Sequence, residues 1–341
     1  LTFNLKKNMK KTVIFVGLFV FVGFVGFYFS FDNQSPEVKD VASSESLWSI
    51  GPGYRIDFAS NPRIMSYEDG KLELGYQSNT VELLDHPSES GYIAISYDGY
   101  EFEEGRQFAP GESFGNGLEM LSGTYRRFMV SPDGVVTSAS SLDRENWVLD
   151  AGNRLEIEID EGERIGVSTF FVDKFGGIVM LYNHDVYDDE GHETILVGRA
   201  YSEPSDNGMN FVVTDEQILE MYDEKGRMMS FADPNAVLLP DGRVRLVVMY
   251  QDPDNGYPPQ GKNGTLYSFV SFDGANFALE EEIVSWDDFE EFEVVSLNDP
   301  KLLVRSDGTE IIYVAALIPA TAGEQGTVGN YKYVIVSLTK E

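Results

Sequence analysis

The chain has 341 residues and a formal net charge of −32, from 57 acidic and 25 basic side chains. Such a charge opposes binding to nucleic acid, to anionic polymers and to anionic membrane surfaces. The lack of cysteine excludes disulfides and thiolate metal sites, and three histidines (His86, His184, His192) without a metal-ligand spacing argue against zinc.

Four lysines (Lys6, Lys7, Lys10, Lys11) mark residues 1–11 as a basic tail. Residues 12–31 are uncharged and apolar, long enough as a helix to cross a hydrocarbon core of about 30 Å. The flank beyond is acidic (Asp32, Glu37, Asp40), so the tail is expected to stay in the cytoplasm and the rest to be exported. A cleaved signal peptide, giving a secreted protein, is the competing reading. It lacks a nearby small-x-small site, because Val41-Ala42-Ser43 lies far from the apolar run. The expectation is one transmembrane helix, a short polar stalk over 32–47 and an external domain tethered to the cell membrane.

From residue 48 onward the chain repeats a β-meander. Its fullest copy opens with Ala232-Asp233-Pro234 and turns at Leu239-Pro240-Asp241-Gly242. Two more strands follow, and the copy ends in Ser271-Phe272-Asp273-Gly274-Ala275-Asn276-Phe277. Glycines ending the first turn fall at Gly70, Gly123, Gly177, Gly242 and Gly308, which counts five copies. The closing S-x-D-G-x-x-aromatic motif recurs at Ser96–Phe102, and with departures at Ser141–Trp147 and Ser205–Phe211. The fifth copy stops short. Its missing end matches the run from Trp48, because Trp48, Gly53 and Arg55 align with Trp147, Gly152 and Arg154. An N-terminal strand that completes the C-terminal sheet closes a ring and protects its edges. The predicted fold is all-β: a five-bladed β-propeller of four-stranded antiparallel blades over 48–341, its last blade closed by 48–58, preceded by one transmembrane helix.

In that geometry the strand starts and the loops after the second strands share one face. The S-x-D-G motifs lie on the other, where serine and aspartate are expected to bond their own turn. Counting back eight residues from each turn glycine gives strand starts at Pro62, Thr169, Pro234 and Pro300, preceded by Asn61, Ser168, Asp233 and Asp299. Blade 2 is irregular there (Phe114-Gly115-Asn116). Asp233 and Asp299 belong to neighbouring blades, so two carboxylates are expected to converge at the mouth of a central cavity, with Arg63 nearby. On the same face, Tyr76, Tyr182 and Tyr250 end second strands, where they could stack on sugar rings or pack in the rim. His184-Asp185 is a candidate acid/base pair, and Gln251 opens the blade 4 loop. Asp252-Pro253-Asp254-Asn255-Gly256 imitates the start of a calcium loop but has Asn263 where the last ligand should be. No cofactor is expected, and calcium is the cation these acidic loops would suit.

The Ala-Asp-Pro and Asn-Asp-Pro strand starts, the Leu-Pro-Asp-Gly-Arg turn and the count of five resemble the arabinanase- and invertase-like glycosidase propellers. The S-x-D-G-x-x-aromatic turns resemble the Asp-box of sialidase (BNR-like) repeats. The first resemblance implies a glycan substrate, with an aspartate base, a second aspartate that orients and tunes, and a glutamic acid on successive blades. Matched residue by residue, Asp233 takes the first role and Asp299 the second, but Asn61 stands where the glutamic acid belongs. Either a loop acid (Glu82, Asp85, Asp185) substitutes, the two aspartates divide the roles, or hydrolysis is absent. The expected function is glycoside hydrolysis on neutral oligosaccharides; the alternative is a non-catalytic glycan- or protein-binding propeller.

Overall fold

The computed structural model describes residues 46–80, 90–109, 117–187, 193–321, 324 and 328–340. The expected membrane span, the basic tail and most of the stalk lie outside these. Among the described residues no helix is long and apolar enough to cross a membrane.

Five antiparallel sheets follow one another along the chain. Their first strands are Ala59–Glu68, Leu118–Glu119, Arg164–Val172, Ser230–Leu238 and Ser296–Val304. In the first four sheets neighbours in sequence are neighbours in the sheet, while the fifth takes its outer strand from the N-terminal segment. Second strands such as Val244–Gln251 read VRLVVMYQ, a nearly continuous apolar run, because both of their faces are covered by adjacent blades. Leu246, Val247 and Val248 are accordingly fully buried. Among the described residues the hydrophobic clusters fill the junctions of blades 2 with 3, 3 with 4, 4 with 5 and 5 with 1.

The ring closes through the N-terminal segment. Ser49 and Ile50 pair with Thr339 and Leu338, while Ile56 and Asp57 pair with Ile335 and Val334. Trp48 is buried in the cluster between blades 4 and 5. The outer strand of blade 2 is divided in the same manner: Val148–Leu149 and Leu155–Glu156 both pair with Val135–Ser141. A glycine of positive φ separates the two pieces in each case, Gly53 at 64° and Gly152 at 77°. Arg55 N–H and Arg154 N–H then donate to Ile335 O and Val136 O, so the sequence alignment of the two segments is also an alignment of structure.

The closing turns bond themselves. Asp273 Oδ1 accepts from Ser271 Oγ, Ala275 N and Asn276 N at 2.8–2.9 Å, and Asp98 holds Tyr100 N and Glu101 N at 2.8 Å. Burial opposes ionisation of Asp273, but these donors outweigh it and hold the carboxyl well below its usual range.

One count needs correction. In blade 3 the turn glycine is Gly176, with φ of 86°, and Gly177 follows the turn directly before the second strand, Ile178–Tyr187. The doubled glycine displaces the strand start of that blade by one residue, and the break in pairing lies one residue further back still, at Gly166-Val167.

Candidate functional site

The first strands of blades 1, 3, 4 and 5 share a local break in register. Pairing skips two residues in each: Asn61-Pro62, Gly166-Val167, Asp233-Pro234 and Asp299-Pro300. Proline has no N–H to give to a ladder, so a bulge is where it fits. Asn61, Asp233 and Asp299 adopt left-handed backbone with φ of 50°, 55° and 54°. Proline disfavours α-type backbone in the residue before it. Three such strained residues at equivalent positions mark a place where the surroundings override local preference. Blade 3 does not join them through Ser168, as counting from Gly177 suggests; Gly166 occupies the bulge and Ser168 is the first residue after it.

Asp233 and Asp299 do converge. Asp299 N–H donates to Asp233 Oδ2 at 3.0 Å, linking blade 4 to blade 5, and both residues are half-buried. The Asp299 carboxylate accepts no hydrogen bond among the described residues. Burial first, and the Asp299 charge second, raise Asp233 from 3.8 to about 6, against the opposing effects of Lys301, the Asp299 N–H and Arg63. Tyr333 lies close enough for both carboxylates to add to the upward effect of its burial. Asn61, also half-buried, donates through Nδ2 to Gln77 Oε1 at 2.7 Å.

The residues that follow the bulges form a second level. These are Arg63, Ser168, Asn235 and Lys301, and all four line a cavity of about 680 Å³ bounded by the first strands of blades 1, 3, 4 and 5 and by Phe128 and Val130 of blade 2. Asn235 Oδ1 accepts from Leu302 N at 2.8 Å, a second link between blades 4 and 5. Lys301 was not legible as a site residue, although Arg63 was. The signal was the offset of two from each bulge residue, which the misplaced start of blade 3 obscured.

Other expected residues are placed elsewhere. Tyr76 and Tyr182 are 6% and 1% exposed and belong to the cores between blades. Tyr250 packs edge-on against Tyr267 and tilted against Phe231, with ring centroids 6.3 and 6.0 Å apart. Burial pushes all three phenols up to about 12. Tyr76 and Tyr182 are core aromatics, while half-buried Tyr250 packs against the margin of the cluster between blades 3 and 4. His184 Nε2 is 2.7 Å from Glu163, and buried Asp185 pairs with Arg164 at 2.5 Å, so this acid/base pair is committed within blade 3. Gln251 lines a separate pocket of about 470 Å³ with Tyr257 and Glu193. In the calcium-like loop, the Asp254 carboxylate is engaged by Lys225 and Arg227. No group of three or more His, Asp or Glu among the described residues is gathered to hold a metal. Glu82, Asp85 and the blade 2 start at 114–116 lie outside the described residues.

No family model matches the chain, and a search of curated proteins finds no match. Solved structures do match. A thermostable family-43 glycoside hydrolase aligns with TM-score 0.53 at 10% identity over 84% of this chain and 91% of that one. An α-L-arabinofuranosidase from Podospora anserina aligns with TM-score 0.54 at 11% identity over 86% and 96%. The fold is shared with glycoside hydrolases. A sucrose-6-phosphate hydrolase from Lactobacillus gasseri extends the likeness, with TM-score 0.52 and 14% identity over 83% of this chain but 60% of that one. At these identities the likeness concerns the glycosidase-type propeller itself; what happens at its mouth has to be argued from this chain's own side chains.

Proposed function

We propose that this propeller is a glycoside hydrolase of the arabinanase- and invertase-like kind, acting on neutral oligosaccharides through Asp233 and Asp299. The observation that carries the reading is the pair itself: two half-buried carboxylates on strained bulges of adjacent blades, one raised to about 6. Glycoside hydrolysis needs one carboxyl group to protonate the leaving oxygen and one carboxylate to activate water or attack. Asp233 holds a proton below about pH 6 and gives it up above, so it can serve either role near neutrality. Asp299, with no internal donor, is free to serve as its partner. Asn61 and Gln77 add neutral donors and acceptors suited to sugar hydroxyls. A panel of neutral pentose and fructose oligosaccharides incubated with the full-length protein tests the reading. Release of reducing sugar from at least one member is expected, and a silent panel would reject it.

A non-catalytic glycan-binding propeller is favoured by one specific feature, the amide of Asn61 where the resemblance calls for an acid. Sugar binding measured by calorimetry without turnover would select that reading. The self-bonded Ser96, Ser141 and Ser271 turns fit an Asp-box as the resemblance implies, with a purely structural role.

The proposed setting is the outer face of a cell membrane, reached through residues 12–31. The support is the apolar run between four lysines and an acidic flank. The protein should pellet with membranes and resist salt washing, because a spanning helix is not held by charge. Recovery of a soluble exported form beginning near Ser43 or Ser44 would replace the anchor with a cleaved signal.

A further inference from the structure

Other buried cations among the described residues have hydrogen-bond acceptors: Arg154 donates to Gly152 O at 2.6 Å, and Arg199 to Gly274 O and Thr214 Oγ1 at 2.8 and 2.6 Å. Lys332, 1% exposed, lies 3.0 Å from both Asp57 and Glu324. Arg245 is paired with Glu280 and Glu310, and Arg126 with Asp150. Lys301 breaks the pattern. It is 3% exposed, yet its Nζ has no hydrogen-bond partner among the described residues. Arg63, across the same cavity, forms no ion pair among the described residues either. In a chain with 57 acidic side chains, two unpaired cations facing one cavity call for an explanation. Leaving a desolvated ammonium without a hydrogen-bond acceptor is costly.

We propose that the axial cavity binds a small monoanionic group, held between the Lys301 ammonium and the Arg63 guanidinium, with the Asn235 and Ser168 side chains on the same level. The groups facing Lys301 are Arg63, Asp233 and Asp299. Burial and Arg63 push Lys301 down to about 8 while the two carboxylates oppose the fall, so it remains charged at neutral pH. Below about pH 6, where Asp233 holds its proton, the two cations exceed Asp299 by one charge and favour a monoanion; the excess is lost as Asp233 ionises, so the site is tested below that pH. The cavity, about 680 Å³, has room for a hydrated halide or for a carboxylate carried on a sugar ring. Both sources present the same chemistry. The site rests on the cavity and its cations, and does not require hydrolysis.

The test is the NMR line width of chloride in the presence of the full-length protein, with glucuronate and glucose as competitors. Wild type should broaden the chloride line in a saturable manner. Lys301→Met should weaken binding about tenfold or more, as expected for loss of one charge-assisted partner. Arg63→Gln should weaken it as well, and it carries the test if Lys301→Met fails to fold. Displacement of chloride by glucuronate but not by glucose would identify a sugar carboxylate as the ligand; no displacement by either would identify a free anion. The proposal is overturned if wild type gives no saturable broadening and glucuronate does not raise its melting temperature. It is equally overturned if folded Lys301→Met, or Arg63→Gln in its place, broadens the line as wild type does.

Discussion

Replacing Asp233 or Asp299 with asparagine is expected to lower turnover of a neutral oligosaccharide by about a thousandfold, within the usual worth of an acid or base, without weakening the fold. The two halves of that expectation have different origins. Turnover falls because asparagine neither carries nor accepts the proton that moves in hydrolysis. Stability holds because asparagine keeps an oxygen for Asp299 N–H, now 3.0 Å from Asp233 Oδ2. The sign of the pH effect follows from the raised pKa. Asp233 holds its proton up to about pH 6 when folded, against 3.8 ordinarily. The folded protein therefore binds this proton more tightly, and stability declines as pH rises through that window. Asp233→Asn removes the decline and should gain about 1–3 kcal/mol at pH 7, read by urea denaturation. Asp233→Ala leaves Asp299 N–H without its acceptor and should lose about 1–3 kcal/mol instead. Asp299→Asn removes a charge that raises Asp233, so any turnover that remains should have the limb set by Asp233, acidic if it is the base and basic if it is the acid, moved to lower pH. Should wild-type turnover survive both asparagine substitutions, these aspartates are not the catalytic pair. If Asp233→Asn proves as destabilised as Asp233→Ala, Asp233 serves as a cap for the next blade.

The architecture was legible because it is written in repeated local chemistry. A turn needs its left-handed glycine, as at Gly242 and Gly308 with φ of 84° and 91°. The register between Trp48 and Trp147 could be found because three distinctive residue types recur at one spacing. Legibility stopped where chemistry depends on depth. Gly176 and Gly177 are equivalent in sequence, and mistaking one for the other accounts for one of the two residues between Ser168 and Gly166; the other comes from a first strand one residue longer between bulge and turn. Tyr76 lies near the end of Lys71–Ser78, but Tyr182 sits in the middle of Ile178–Tyr187, which runs on past the expected loop start, and both are buried in the clusters between blades. Lys301 looks like an ordinary strand lysine until four first strands are laid around one axis. The convergence of Asp233 with Asp299 needed only strand order, and so it could be anticipated.

Deleting residues 46–58 is expected to destroy cooperative unfolding, the largest stability effect predicted for this chain, whereas deleting 1–40 should leave a folded domain. The strands removed are short, so their hydrogen bonds are not the main loss. Trp48 is 6% exposed within the cluster that joins blades 4 and 5, and emptying such a site costs about 3–5 kcal/mol. Lys332 would lose Asp57 and keep only Glu324 for an ammonium that is 1% exposed. Ser337 would lose the Arg55 guanidinium bonded to its Oγ at 2.8 Å. The strand Tyr331–Lys340 would then become an open edge, in a segment whose Val334, Ile335, Val336 and Leu338 are fully buried in the intact ring. An exposed apolar edge is a template for pairing with other chains. These losses together are comparable to the whole stability of an ordinary domain, about 5–15 kcal/mol. Calorimetry and light scattering on the two truncated proteins decide the matter. The closure account predicts one sharp transition for the chain lacking 1–40, and broad melting with aggregation for the chain lacking 46–58. If both melt alike, the contacts of Trp48 and Asp57 are incidental, and the ring is held shut by the faces of blades 5 and 1 alone.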